Sequence, residues 1–213
     1  MPTHLWPRDG IHFARVGDDL IMLDVAADTY SCLLGAGSVV RLEDAGRIAI
    51  DDDDLAIELE THGIVQTDRP LREPRTPVLA SHEAPRSAGS TDAAPVSLAL
   101  AHLLVSTVVF HRKTLAQLTA AVEVGPRSDA RKSDLTTVLA DYRAALPWTP
   151  FEGECLQRGF LLKRLLRSHG IASDWIFGVR TWPFAAHCWI QVEDLLVGDS
   201  LERVRSYTPI MVA

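Results

Sequence analysis

The sequence predicts an α+β fold in two parts: a small β-rich unit, then a larger unit of helices packed on an antiparallel sheet. Three observations predict it. Short runs of β-favouring residues separated by turn residues fill Ile11–Leu34. Longer apolar runs of helical length follow from Val96 to Leu146, and again from Leu156 to His169. Strand signals then return between Trp175 and Val197. The 213-residue chain is long enough for one large domain or two small ones. Asp68–Pro95 decides between them, because Pro70, Pro74, Pro77, Pro85 and Pro95 punctuate a stretch without periodicity, the pattern of a linker. The expected division is a first domain over residues 1–68, a linker over 69–95 and a second domain over 96–213.

Within the first domain, His12–Val16, Leu20–Val25 and Thr29–Leu34 read as strands joined at Gly17-Asp18-Asp19 and at Ala26–Asp28, a three-stranded meander. Gly35-Ala36-Gly37-Ser38 breaks the last strand, and Ser38 stands where an N-cap would open a short helix of Val39, Val40, Arg41 and Leu42. A second helix begins in the Asp51–Asp54 run, carries Leu55, Ile57 and Leu59, and stops near Gly63. Four successive aspartates raise the question of a metal site. Acidic residues in a first helical turn are favoured by the helix dipole, so the run is read as a solvated cap and no metal is expected.

In the second domain the apolar stretch Val96–Phe110 is interrupted by His102 and followed by His111, Arg112 and Lys113. Its fifteen residues fall short of the roughly 20 a membrane span needs, which predicts a buried core helix. Leu115–Val122 and Asp134–Leu146 continue the helical content, and Pro147-Trp148-Thr149-Pro150 breaks it. Leu156–His169 follows as a helix opened by Cys155 and closed by Gly170, at a position that needs a left-handed residue. Cys155, Gly159, Leu162 and Leu166 share one face of it. Gly159 there reads either as a tolerated glycine or as room for a second backbone to approach near the thiol. Trp175–Val179 is the next strand, Thr181-Trp182-Pro183 a break, His187–Val192 a second strand, and Leu195–Val197 a return strand ending at Gly198.

A net charge of −7 argues against general attraction to nucleic-acid phosphates or anionic membranes. The three cysteines, Cys32, Cys155 and Cys188, are odd in number and widely spaced. The start, Met1–Gly10, lacks a basic segment followed by an apolar run. Together these predict a cytoplasmic protein with reduced thiols. Of the three, Cys155 sits at a helix N-terminus, where the dipole favours the nucleophilic thiolate. Alternation along the strand puts His187, Trp189 and Gln191 on one face and Cys188, Ile190 and Val192 on the other, so Cys188 is expected in the core and Cys155 as nucleophile. An imidazole base needs a partner to orient it, for which Asp194 and Asp199 are candidates. Asp194 falls in the turn, whereas Asp199 returns beside the start of the histidine strand and is preferred. No C-x-x-C or H-x-x-x-H pair supplies zinc ligands, and no G-x-S-x-G, Walker A or G-x-G-x-x-G sequence is present, so no cofactor is expected.

The run Glu154-Cys155-Leu156-Gln157-Arg158, the stretch Leu165-Leu166-Arg167-Ser168-His169-Gly170-Ile171, then Gly178-Val179-Arg180, Pro183-Phe184-Ala185-Ala186-His187-Cys188-Trp189-Ile190 and Gly198-Asp199-Ser200 together resemble the lasso peptide biosynthesis B proteins. These are transglutaminase-like cysteine proteases with a papain-type fold, and the resemblance spans about Val96–Ala213. It implies a catalytic triad of Cys155, His187 and Asp199 and hydrolysis of the leader–core bond of a precursor peptide. It also implies an asparagine synthetase-like cyclase as partner, which closes the macrolactam on the freed core.

The N-terminal meander with Tyr30-x-x-Leu33 and the helices after it, about Ile11–Asp68, resembles the PqqD-like leader-recognition element, a small winged-helix-like domain. That likeness implies that a leader peptide binds as an added strand along Thr29, Tyr30, Ser31, Cys32, Leu33 and Leu34. The acidic balance favours peptide over DNA as the ligand. Two other functions fit the same residues: a catalytically silent scaffold that delivers the precursor to a partner enzyme, and acyl transfer to an amine instead of water.

Overall fold

The computed structural model describes residues 2–70, 74–85, 89–122, 132–150 and 154–213. Parts of the proline-rich segment expected as a linker, 71–73 and 86–88, therefore lie outside the described residues. Packing groups the chain into two units. One comprises Met1–Pro77, Phe177–Ala186 and Ser206–Val212, and the other Val78–Ile176, His187–Arg205 and Ala213.

β1 (Thr3–Pro7) opens the first unit and precedes β2 (Ile11–Val16), β3 (Asp19–Asp24) and β4 (Thr29–Leu33). The last three form the meander the turn residues predict, in the order β2-β3-β4. Its register runs from Ile11↔Asp24 to Val16↔Asp19 and from Leu20↔Leu33 to Asp24↔Thr29. The helix expected over Val39–Leu42 does not form. Ala36–Ser38 is one 3-10 turn and Val40–Leu42 is strand β5. Val40 is fully buried and pairs with Ile50, so tertiary pairing of β-branched residues overrides the apparent cap at Ser38.

β6 (Ile48–Ile50), α1 (Asp53–Thr61) and β7 (Val65–Gln66) complete a second sheet of order β5-β6-β1-β7. The Asp51–Asp54 run caps α1 as predicted, with Asp52 Oδ1 accepting from the Leu55 N–H at 3.0 Å. Leu5, Leu20, Val40, Ile48, Ile50 and Leu59 form the centre of this unit's core. The segment 177–186 adds two aromatic contacts. Phe184 packs on Tyr30 at 5.7 Å between ring centroids, and the Trp182 indole N–H donates to Asp19 Oδ2 at 3.1 Å.

After β7 the chain continues with β8 (His82–Glu83), α2 (Ala93–Phe110), α3 (Leu115–Ala121), α4 (Lys132–Ala145) and α5 (Cys155–Ser168). Then come β9 (Asp174–Arg180), β10 (Ala185–Val192), β11 (Leu195–Val197), α6 (Leu201–Val204) and β12 (Thr208–Val212). The strands build a five-stranded sheet of order β12-β9-β10-β11-β8, in which β11 is antiparallel to β10 and parallel to β8.

α2 corrects one expectation. Three residues longer than its apolar run suggested, it is long and apolar enough to cross a membrane by length and composition, and only 22% of it is buried. Ala99, Leu103, Ser106 and Thr107 face the core, while Leu98 (74% exposed), Val105 (60%) and Val108 (53%) face outward. It is a core helix on one face only.

Candidate active site

α5 is a rigid platform because little of it faces water. Gln157, Gly159, Phe160, Leu161, Leu162, Lys163, Leu165 and Leu166 are all buried. The buried Lys163 ammonium donates to the carbonyls of Ser173 and Ala213 at 2.7 and 2.8 Å, so no unpaired charge destabilises the core. At its end Gly170 takes φ 72°, its N–H donating to the Arg167 carbonyl and that of Ile171 to the Leu166 carbonyl. This is the Schellman arrangement that the glycine predicts. Cys155 is the first residue of the helix and is partly buried, where the free N–H groups of the first turn favour a negative charge.

β10 carries the histidine, and its side chains alternate as the sequence predicts. On one face the His187 ring stacks on Trp189, with centroids 6.1 Å apart. The Trp189 N–H donates to Gln191 Oε1 at 2.8 Å, and Gln191 Nε2 donates to the carbonyls of Val78 and Glu193. The ring is thus held from behind by a satisfied polar row. After β11, Gly198 takes φ 76° and turns the chain back, which puts Asp199 Oδ2 2.5 Å from His187 Nε2. The other carboxylate oxygen accepts from the Ser200 N–H at 2.8 Å. Asp194, the alternative orienter, is engaged elsewhere with Ser81 and His82.

With Nε2 committed to Asp199, Nδ1 is the ring nitrogen left to hydrogen-bond Cys155. The structure therefore brings Cys155, His187 and Asp199 together. Thr29–Leu34 belongs to the other unit, where β4 ends the three-stranded sheet and Cys32 and Leu34 are exposed.

Cys188 is buried, as alternation predicts, but it is not a bystander. Its side chain and backbone N–H both act to lower the pKa of the Cys155 thiol. Sheet geometry explains how one sulfur meets both neighbours. β11 covers only Ile190–Val192 of β10, so the edge of β10 before Ile190 has no β11 residue opposite it. Hydrogen bonding from Cys188, then from His187, outweighs burial and pulls the Cys155 thiol down to about 4. Burial alone would lower the imidazole, but hydrogen bonds to Asp199 and Cys155 prevail and lift it to about 9. For Asp199, burial acts upward and is outweighed by His187 and the Ser200 N–H, which hold the carboxyl below its usual range. The two shifts both favour the thiolate–imidazolium form of the pair.

Gly159 also has its explanation here, and it is a side chain rather than a second backbone. The Trp175 indole lies on the helix where a Cβ at residue 159 would come within 2.4 Å of Nε1. Trp175 is fully buried. Gly159→Ala gains about 1 kcal/mol of helix propensity but must displace a buried indole, an overpacking penalty of about 1–3 kcal/mol. The expected outcome is a net loss of stability, read as a lower urea midpoint with unchanged m.

A family model of the transglutaminase-like superfamily matches residues 97–212, more than half of the chain. The chain belongs to the transglutaminase-like superfamily. That match takes in all of α5, β9, β10, β11 and the Cys155–His187–Asp199 cluster. Over 50 residues this superfamily member is also 38% identical to the microcin J25-processing protein McjB of Escherichia coli, a stretch that spans 24% of this chain and 24% of the relative. No solved structure matches it. Among the described residues, no group of three or more His, Cys, Asp or Glu side chains is disposed to hold a metal ion.

Proposed function

We propose that the protein is a leader peptidase of lasso peptide biosynthesis, a cysteine peptidase that cuts the leader–core bond of a precursor peptide. The observation that carries the reading is His187 with Asp199 at 2.5 Å from its Nε2 and Cys155 at the N-terminus of α5, an arrangement that favours a thiolate–imidazolium pair. Membership of the transglutaminase-like superfamily and the likeness to a protein named for processing a microcin support the same chemistry.

In this mechanism the Cys155 thiolate attacks the scissile carbonyl carbon, and the helix N-terminal N–H of Cys155 helps to bind the oxyanion. The tetrahedral species collapses as the His187 imidazolium gives its proton to the leaving amine, which departs as the N-terminus of the core. Neutral His187 then takes a proton from water, whose oxygen attacks the thioester. The leader leaves as a carboxylate and the thiolate–imidazolium pair is restored. Asp199 keeps the ring in one tautomer and orientation.

Residues 1–68 act as a PqqD-like recognition domain for the leader and 69–95 as linker to the protease domain, 96–213. Support for a peptide strand along Thr29–Leu34 comes from the position of β4 at the end of its sheet and from the exposed side chains there. The freed amine is the substrate for an asparagine synthetase-like cyclase, and the reaction proceeds in the cytoplasm with the three thiols reduced.

Mass spectrometry of the cognate precursor after incubation with the protein tests this. Two fragments summing to precursor plus one water are expected. An intact precursor that nonetheless binds would make the protein a scaffold, and a fragment joined to an added amine would make it an acyltransferase.

The pH profile is a second expected result. Below about 4 the thiolate takes up a proton, and above about 9 the imidazolium that must protonate the leaving amine is lost. kcat/KM for cleavage should therefore hold a plateau between these limits and fall on both sides. A profile that rises only near the ordinary thiol value would contradict a preformed ion pair.

A further inference from the structure

We propose that Trp182 and Phe184 are specificity-determining residues for the peptide strand that adds to β4, and that the strand they select is cationic with apolar side chains at alternate positions. The inference rests on the reading that a leader peptide binds along Thr29–Leu34. It adds which side chains of that peptide are recognised, and by what.

Among the described residues no strand lies beyond β4 in the order β2-β3-β4, so an extended peptide can continue the sheet there. A peptide in that position turns its side chains alternately to the two faces, about 7 Å apart along each. One face is committed to the interior, where Leu33 packs against the core cluster of Leu5, Leu20 and Val40. Tyr30 and Cys32 point to the opposite face by alternation, and the Tyr30 ring meets Phe184 with centroids 5.7 Å apart. At the far end of β4 one carboxylate ties strand to indole. Asp19 Oδ1 accepts from the Gly35 N–H at 3.0 Å, and Oδ2 accepts from the Trp182 indole N–H at 3.1 Å.

Two aromatic side chains are therefore fixed at opposite ends of the open strand while much of their surface stays in water. Trp182 is 77% exposed, Phe184 51%, and Leu34, the residue after β4, 69%. Rings held in place and left solvated have apolar area to offer a ligand at little further ordering cost. Charge fixes the rest of the ligand's chemistry. Residues 1–68 hold four arginines and no lysine against fourteen aspartates and glutamates, a net charge of −10, while the remainder of the chain carries +3. Asp24 and Asp28 stand before β4 in the chain, and Asp19 stands at its other end. Such a surface favours a peptide rich in lysine or arginine.

The test uses the full chain as Cys155→Ala, so that bound peptides are not cut. A displayed library of random dodecapeptides is selected against it, and an enriched peptide is titrated by fluorescence polarisation. Enriched sequences should carry lysine or arginine together with apolar residues two or four positions apart. Binding should weaken about tenfold on adding Trp182→Ala or Phe184→Ala. Bound peptide should also slow alkylation of the exposed Cys32 by iodoacetamide, which places it on β4. Unchanged affinity in both aromatic variants would overturn the proposal, as would enriched peptides that are acidic or lack alternating apolar residues.

If an aromatic variant does not fold, the substitution is made in the peptide instead. Serine in place of its apolar residues should weaken binding about tenfold, and unchanged affinity would again overturn the proposal. Strand addition has a separate readout, because N-methylation of alternate peptide amides removes backbone donors and spares side chains. An N-methylated peptide that binds as tightly as its parent would refute strand addition. A peptide that is lost on N-methylation, yet binds both aromatic variants unchanged, would sustain strand addition and refute the selection by Trp182 and Phe184.

Discussion

Replacing Cys155 by alanine should lower precursor cleavage by about 10³-fold or more while leaving the dissociation constant for the precursor unchanged. No other described nucleophile can take its place. The neighbouring Cys188 is buried with its ionisation suppressed, and Cys32 lies on β4 in the first unit. Removing the sulfur takes away the covalent route itself, not one of its aids, so the loss appears in kcat with binding intact. Fragment yield by mass spectrometry and precursor affinity by calorimetry check the two halves of the result. Residual cleavage at more than a few per cent of the parent rate would point to a different nucleophile.

His187→Ala is expected to rank second, with a loss of about 10²–10⁴-fold. Two deficits combine in it. The leaving amine loses its proton donor, and the thiol loses the hydrogen bond and positive charge that help hold it ionised. The second deficit has its own readout. Alkylation of Cys155 near pH 6 should slow in His187→Ala, because a smaller fraction of the thiol is ionised there. A cleavage defect without slower alkylation would mean that His187 acts only as an acid, and that Cys188 and the helix terminus suffice for the thiolate.

Much of this site is written in local patterns. Residues of period two made β10 a strand and put His187, Trp189 and Gln191 on a common face, which is how they pack. Gly170 marked the end of α5 by the left-handed conformation it adopts, and Cys155 opened that helix at the residue expected. The return of the chain favours Asp199 over Asp194, and the tight turn at Gly198 is the physical reason it reaches the imidazole.

What escaped depends on partners distant in sequence. β1, β5, β6 and β7 are two to five residues long and pair across separations such as Thr3 to Ile50, so no local period announces them. The single 3-10 turn before β5 looked like a helix cap because a serine followed by valines satisfies both readings until the pairing of Val40 with Ile50 decides. For Cys188, alternation correctly put the residue in the core. It could not reveal that the short β11 leaves the edge of β10 uncovered beside the nucleophile. Trp175 carried no signal of its own beyond an unexplained glycine sixteen residues earlier.

The aromatic contacts of the segment 177–186 bear on how such a protein can be recombined. Phe184 on Tyr30 and Trp182 on Asp19 fasten a turn from the family-matched region to the N-terminal meander. A gene cut anywhere between residues 68 and 96 would part these side chains from the surface that completes them. Grafting a foreign N-terminal half onto this transglutaminase-like region, or this half onto another, would then require co-exchange of residues 177–186. The two halves should be inherited as a matched pair, with changes at Tyr30 answered at Phe184, instead of circulating as interchangeable cassettes.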